Sequence, residues 1–186
     1  MLSVRGSGGR GSNLVRYHSG VSQRVPAPKP GRPRDPNAPP KAERPRDELG
    51  RPLPRDARNR LDMHDFDSLS AEENHRLGIE YFNSGRFFPA HEAWETSWKQ
   101  CKGTADAEFF KGLSQLGAGY VHLMRGNPHG AHALIRRGAG RIQRYGQRHR
   151  GVEAQLVAGE ALAQADEVEA AEKAGRPLPA VRAPHI

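Results

Sequence analysis

Cys101 is the one cysteine in 186 residues, so no disulfide can form within the chain, which fits a reducing compartment. No apolar run approaches the roughly eighteen residues of a membrane-crossing helix, and no secretory hydrophobic region is present, so no membrane partner is expected. No run of residues reads as a strand. Aromatic residues are few, at 6%, and unevenly placed: both Trp, all six Phe and three of the four Tyr follow residue 60. Acidic residues are missing altogether from residues 1–34 and again from 109–152.

Basic charge is concentrated in one part of the chain. Residues 1–60 hold 14 Lys and Arg against 5 Asp and Glu, with 10 of the 15 prolines, whereas residues 61–186 hold 15 against 16. The net charge of +8 therefore describes the first sixty residues, and it is no argument for a basic nucleic-acid-binding domain. So little apolar surface cannot offset the entropy of ordering that segment, and a disordered Pro/Arg/Gly-rich tail over 1–60 is expected, a polyanion-binding arm being its second reading. Residues 1–34 share the Ser and Arg content of a transit peptide but lack its amphipathic apolar face. Arg outnumbers Lys 23 to 6, a bias typical of GC-rich coding, and a cytoplasmic protein is expected.

The remaining 61–186 can build one core. Ser70 followed by Glu73 is a capping box, so a first helix is predicted over about 70–84, with Leu77, Tyr81 and Phe82 inward and Gly85 beyond its end. Phe88-Pro89 opens a second helix that ends near Cys101. Thr104 precedes a third, about 105–125, with Phe109, Leu113, Leu116, Tyr120, Leu123 and Met124 on one face. Asn127-Pro128 starts a fourth, about 128–145, with Ala131, Leu134, Ile135, Gly138, Ile142 and Tyr145 inward. A fifth, about 152–173, is rich in Ala and Glu and is expected to pack loosely or fray. The fold class is all-α, a compact bundle of four to five helices. Gly78, Gly85 and Ala90 recur as Gly119, Gly126 and Ala131 at a constant shift of 41 residues, the logic of two tetratricopeptide-like helical hairpins.

The run Tyr81-Phe82-Asn83-Ser84-Gly85-Arg86-Phe87-Phe88-Pro89-Ala90-His91-Glu92-Ala93-Trp94-Glu95, followed by Trp98, resembles the signature of the bacterial domain-of-unknown-function family 309. So does Phe110-Lys111-Gly112-Leu113-Ser114-Gln115, continuing to Tyr120, His122 and Arg125-Gly126-Asn127-Pro128-His129-Gly130-Ala131. The resemblance covers about residues 70–142 and departs at Pro89, where relatives more often carry Glu. It implies a compact helical fold and no established activity.

On a helical wheel, His91, Trp94, Glu95 and Trp98 share a stripe about 100° wide, flanked by Phe87 and Phe88. An imidazole and a carboxylate within an aromatic face must be paired, protonated or metal-bound. Lys111, Gln115 and His122 fall within about 40° of one another on the third helix. Facing the second helix, they would line a pocket with Trp94 and Trp98. The functional reading is a metal site, with His91, Glu95 and His122 as ligands and Glu92 as general base, as in HExxH enzymes. The sequence here is HExxE, lacking the second histidine, and its carboxylates suit Mn or Fe as well as Zn. The bland reading is a buried His91–Glu95 hydrogen bond that fixes helix register.

A second candidate is a surface. Arg136, Arg137, Arg141 and Arg144 avoid the inward side of the fourth helix and could bind an anionic ligand or a protein partner. No aromatic residues interleave for base stacking, which argues against nucleic acid. His129 and His132 flank the start of that helix. Two readings follow: a non-catalytic helical module binding a partner or anionic ligand, or a metal-dependent, hydrolase-like enzyme. Exposed faces on so small a bundle leave room for a dimer.

Overall fold

A computed structural model describes residues 44–186. The bulk of the expected tail, residues 1–43, lies outside the described residues. Five α-helices follow one another: α1 (Ala71–Asn83), α2 (Phe87–Gln100), α3 (Ala107–Met124), α4 (Pro128–Ile142) and α5 (Ala154–Lys173). Single 3-10 turns occur at Phe66–Ser68 and Gln143–Tyr145. Each helix packs on its sequence neighbour, α1 on α2, α2 on α3, α3 on α4 and α4 on α5. The all-α class holds, with no named strand among the described residues.

Local signals set the helix ends. Ser70 Oγ accepts from Glu73 N, and Ser70 N donates to the Glu73 carboxylate at 2.8 Å, completing the capping box. Asn127 Oδ1 accepts from Gly130 N at 3.0 Å, with Pro128 in the first turn of α4. The 41-residue correspondence reappears as geometry. Gly85 and Gly126 both have positive φ, 77° and 72°, conformations that glycine adopts without steric cost. Each is followed by a 6→1 bond that closes the helix end, Arg86 N to Tyr81 O at 2.8 Å and Asn127 N to His122 O at 2.9 Å. A Cβ on Gly78 would lie 2.5 Å from Trp94 Nε1, and one on Gly119 would lie 2.6 Å from Ile135 Cγ1. Trp94 and Ile135 are themselves 41 residues apart. In both helix pairs a glycine admits the large side chain of the following helix.

Three inward faces differ from expectation. On α2 the buried residues are Phe87, Pro89, Ala90, Ala93, Trp94, Thr96 and Ser97. The interior thus takes Phe87 and Trp94 together with the small residues, which let α1 and α3 approach from either side, and His91, Glu95 and Trp98 sit half-buried at its edge. Met124 is 42% exposed at the end of α3. α5 does not fray: Ala154, Ala158, Ala161 and Ala165 join Val157 and Val168 in a buried face against α4, since small side chains trade apolar bulk for close backbone approach.

Residues 44–60, read from composition as part of the tail, are held against the helices. Asp47 Oδ1 accepts from Leu49 N and Arg51 N at 3.0 and 2.7 Å. The resulting turn seats Gly50 on the Phe88 ring, while Arg125 donates to Leu49 O. Polar and backbone contacts, not an apolar pattern, order this segment, so hydrophobic composition carried no sign of it. At the other end, the Asn83 amide pairs with both N and O of Ile186, at 2.9 and 2.6 Å.

His75 is buried at 1% exposure under Phe109 and Phe110. Trp94 Nε1–H donates to its Nδ1 at 3.1 Å, which leaves Nε2 to donate to Arg150 O at 3.0 Å. Burial lowers its pKa, outweighing the opposing pull of the Arg150 carbonyl. A depressed histidine pKa means that the unfolded chain binds the proton more readily. Its contribution is complete above about pH 6.5 and is lost as pH falls below that value. Urea midpoints are accordingly expected to drop between about pH 7 and pH 5.5, with the His75 ring titrating by NMR below the ordinary ~6.5. A ring that titrates at or above that value contradicts the assignment. Gly78→Ala pushes a methyl into Trp94 and should cost about 1–3 kcal/mol in urea unfolding; an unchanged midpoint would show that α1 and α2 can move apart freely.

Candidate metal site

α2 turns His91, Glu92 and Glu95 toward one point at the rim of the α2–α3 contact. Each offers a ligand atom, and these atoms all lie within 4.8 Å of one another. The His91 backbone is pressed against α3, where a Cβ on Gly117 would lie 3.1 Å from His91 N and 3.2 Å from its Cα. That close approach lets the ring reach across to Ser114. Its Nδ1 lies 3.0 Å from Ser114 O and 2.9 Å from Ser114 Oγ. A carbonyl only accepts, so Nδ1 carries the proton and Nε2 is the nitrogen left facing the carboxylates. Glu95 Oε2 stands 3.4 Å from Nε2, and Glu92 Oε1 stands 3.7 Å away. Ligands about 2.1 Å from a tetrahedral ion are themselves about 3.4 Å apart. The spacing therefore suits three ligands of one ion.

The site is open, with His91, Glu92 and Glu95 side chains 23%, 38% and 30% exposed. Lys99 Nζ holds the other Glu95 oxygen at 2.9 Å, and this contact raises the lysine pKa. Lys111 and Lys102 stand over the Trp98 ring, 4.8 and 5.5 Å from its centroid, and Lys111 also pairs with Glu108 at 3.7 Å. Phe88 borders the site, its ring centroid 6.2 Å from that of His91.

The sequence-derived residues thus divide. His91 and Glu95 come together as expected, and Glu92 joins them as a third donor, whereas the sequence reading gave it the part of a base. His122 is not a member of that group. It lies at the α3–α4 junction, where the Asn127 amide donates to its Nδ1 at 2.8 Å. Burial lowers its pKa, with further repulsion from Arg125 and His91. Trp94 is fully buried and binds His75, so it supports the core and does not line the site. Lys111 and Gln115 flank the face, and Gln115 Oε1 is buried with no hydrogen bond among the described residues. Sequence reasoning missed His75 and Ser114. Ser114 acts largely through its backbone carbonyl, which no residue pattern announces.

The arginine face is partly neutralised. Arg136 pairs with Asp166 and Glu169, both at 2.6 Å, and Arg141 pairs with Glu108 at 2.8 Å. Lys173 and then Arg136 hold the Glu169 carboxyl down at about 2. Arg137 and Arg144 are exposed and make no ion pair among the described residues.

Fold and site together define a small all-α protein with an open histidine–dicarboxylate centre on its second helix. Residues 75–134, from His75 in α1 to Leu134 in α4, match the family described as Domain of unknown function (DUF309). The matched segment contains the whole candidate centre. Comparison with curated proteins and with solved structures returned no match.

Loss of the Glu108 pair in Arg141→Glu is expected to cost about 0.5–1 kcal/mol at low salt. Arg137→Glu, with no pair to lose, should stay within about 0.5 kcal/mol. Equal losses in urea unfolding would show that the pairing is not what distinguishes the two arginines.

Proposed function

We propose that this protein is a non-catalytic helical module that binds a divalent cation through His91, Glu92 and Glu95 and uses it to hold an anionic group of a ligand or protein partner. One observation carries the reading. His91 Nε2, with its sister nitrogen held by the Ser114 carbonyl, faces two carboxylate oxygens at 3.4 and 3.7 Å. Without a cation, two partly exposed carboxylates share one imidazole at distances beyond good hydrogen bonds. With one, the same positions become a nitrogen and two oxygens around the ion, a donor set suited to Mn²⁺, Fe²⁺ or Zn²⁺. Three protein ligands leave coordination positions free for a carboxylate or phosphate oxygen. The ammonium group of Lys99, paired with Glu95, adds attraction for such a group.

The second reading, a metal-dependent hydrolase, draws on the same open positions. A water held there by the ion would become more acidic, the usual arrangement in catalytic zinc sites. Hydrolysis of simple phosphate or ester substrates that requires metal and disappears in Glu95→Gln would favour it.

The deciding measurement is elemental analysis of the purified chain after exposure to Mn²⁺, Fe²⁺ or Zn²⁺, beside His91→Ala and Glu95→Gln. One equivalent of metal should be lost in each variant, with the helical circular dichroism retained. Equal metal content in all three proteins would reduce His91, Glu92 and Glu95 to a surface charge cluster.

A further inference from the structure

A second group of ligating side chains forms where the ends of the last two long helices meet. α4 and α5 run antiparallel, as the pairs His132–Glu172 and Arg136–Asp166 show. The first turns of α4 therefore lie beside the last turn of α5. There His129, His132 and Glu172 each offer a ligand atom, all within 4.8 Å of one another. His132 Nε2 and Glu172 Oε2 are 2.9 Å apart, and the His132 side chain is only 12% exposed. The exposed His129 packs edge-on against the His132 ring, centroids 5.4 Å apart. Three residues of spacing place both imidazoles on one face of α4.

We propose that His129, His132 and Glu172 form a zinc site, separate from the His91 centre, that clamps the end of α5 to the start of α4. Two imidazoles and one carboxylate are a recurrent Zn²⁺ donor set that leaves a fourth position for water. The ligands come from two helices, so the ion adds a bridge to elements that meet through small apolar side chains and the Arg136 ion pairs. In the metal-free arrangement Arg136 Nη1 approaches His132 Nδ1 at 3.5 Å, and Nε2–H donates to Glu172. Zinc entry moves the ring proton from Nε2 to Nδ1 by exchange with water and parts the long Arg136 contact. It also opens the 2.9 Å His132–Glu172 distance toward the roughly 3.4 Å of neighbouring tetrahedral ligands.

The surrounding charges permit this. From α4 the site faces Arg136, and from α5 it faces Asp166, Glu169, Glu172 and Lys173. Arg136 is occupied by Asp166 and Glu169, and Lys173 by Glu169 at 2.7 Å. The positive end of the α4 dipole disfavours a cation, and the negative end of the α5 dipole offsets it.

The test uses the full chain carrying His91→Ala and Glu95→Gln, so that the other centre contributes nothing, and Zn²⁺ alone as probe. One equivalent of zinc should bind and raise the melting temperature in proportion to the logarithm of free zinc. Adding His129→Ala, at an exposed position, should weaken zinc binding by more than the ~10-fold that even an outer-shell change costs, with the melting temperature in chelator unchanged. Glu172→Gln should act likewise. Failure of the double variant to bind zinc overturns the proposal and leaves the His91 reading untouched. Zinc binding that survives both His129→Ala and Glu172→Gln overturns it as well.

Discussion

How closely the helices approach one another governs most of what this protein can present. Gly78 and Gly119 sit under Trp94 and Ile135, where any side chain would collide at about the same distance in both helix pairs. Gly138 and Gly112 do the same between α3 and α4, a Cβ on Gly138 falling 2.7 Å from Gly112 O. Close-packed interiors tolerate little change in volume. These contacts therefore determine the spacing and rotation of α1 through α4, and with them which edge of each helix faces water.

The candidate centre is a consequence of that spacing. Gly117 brings α3 against the His91 backbone, so the imidazole reaches the Ser114 carbonyl and its second nitrogen turns outward. Glu92 and Glu95 follow from the helical repeat alone, but the direction in which they point depends on α3. A wider α2–α3 separation would leave His91 without its backbone partner and free to rotate. The site is thus positioned by a residue with no side chain and by a carbonyl group, neither of which takes part in ligation.

Charge is distributed by the same packing. The basic α4 is matched by acids from flanking elements: Glu108 from α3, and Asp166 and Glu169 from α5. Arg150, just before α5, reaches Asp106 and Glu72. Its guanidinium holds the Asp106 carboxyl well below the usual range. Its carbonyl, from a residue at positive φ, accepts from the buried His75. One loop residue thereby ties the start of α3 and the interior of α1 to the approach of α5.

What the sequence determined by itself was local: five helices, their caps at Ser70 and Asn127, the stop glycines Gly85 and Gly126, and the pairing of His91 with Glu95 by helical spacing. These depend on hydrogen bonds and sterics within a few residues, so the pattern of residue types is enough to read them. The 41-residue correspondence was legible as well, although its meaning as glycine beneath Trp94 and Ile135 was not. Tertiary structure decided the rest. It buried Phe87 and Trp94 of α2 together with its small residues while leaving Trp98 at the edge, and it brought Glu92 into the group while placing His122 elsewhere. It also seated residues 44–60 on Phe88 and joined His129 and His132 to Glu172, forty residues further on. Each of these outcomes depends on how far apart two backbones stand, a quantity summed over many contacts between residues distant in sequence, which no short pattern encodes.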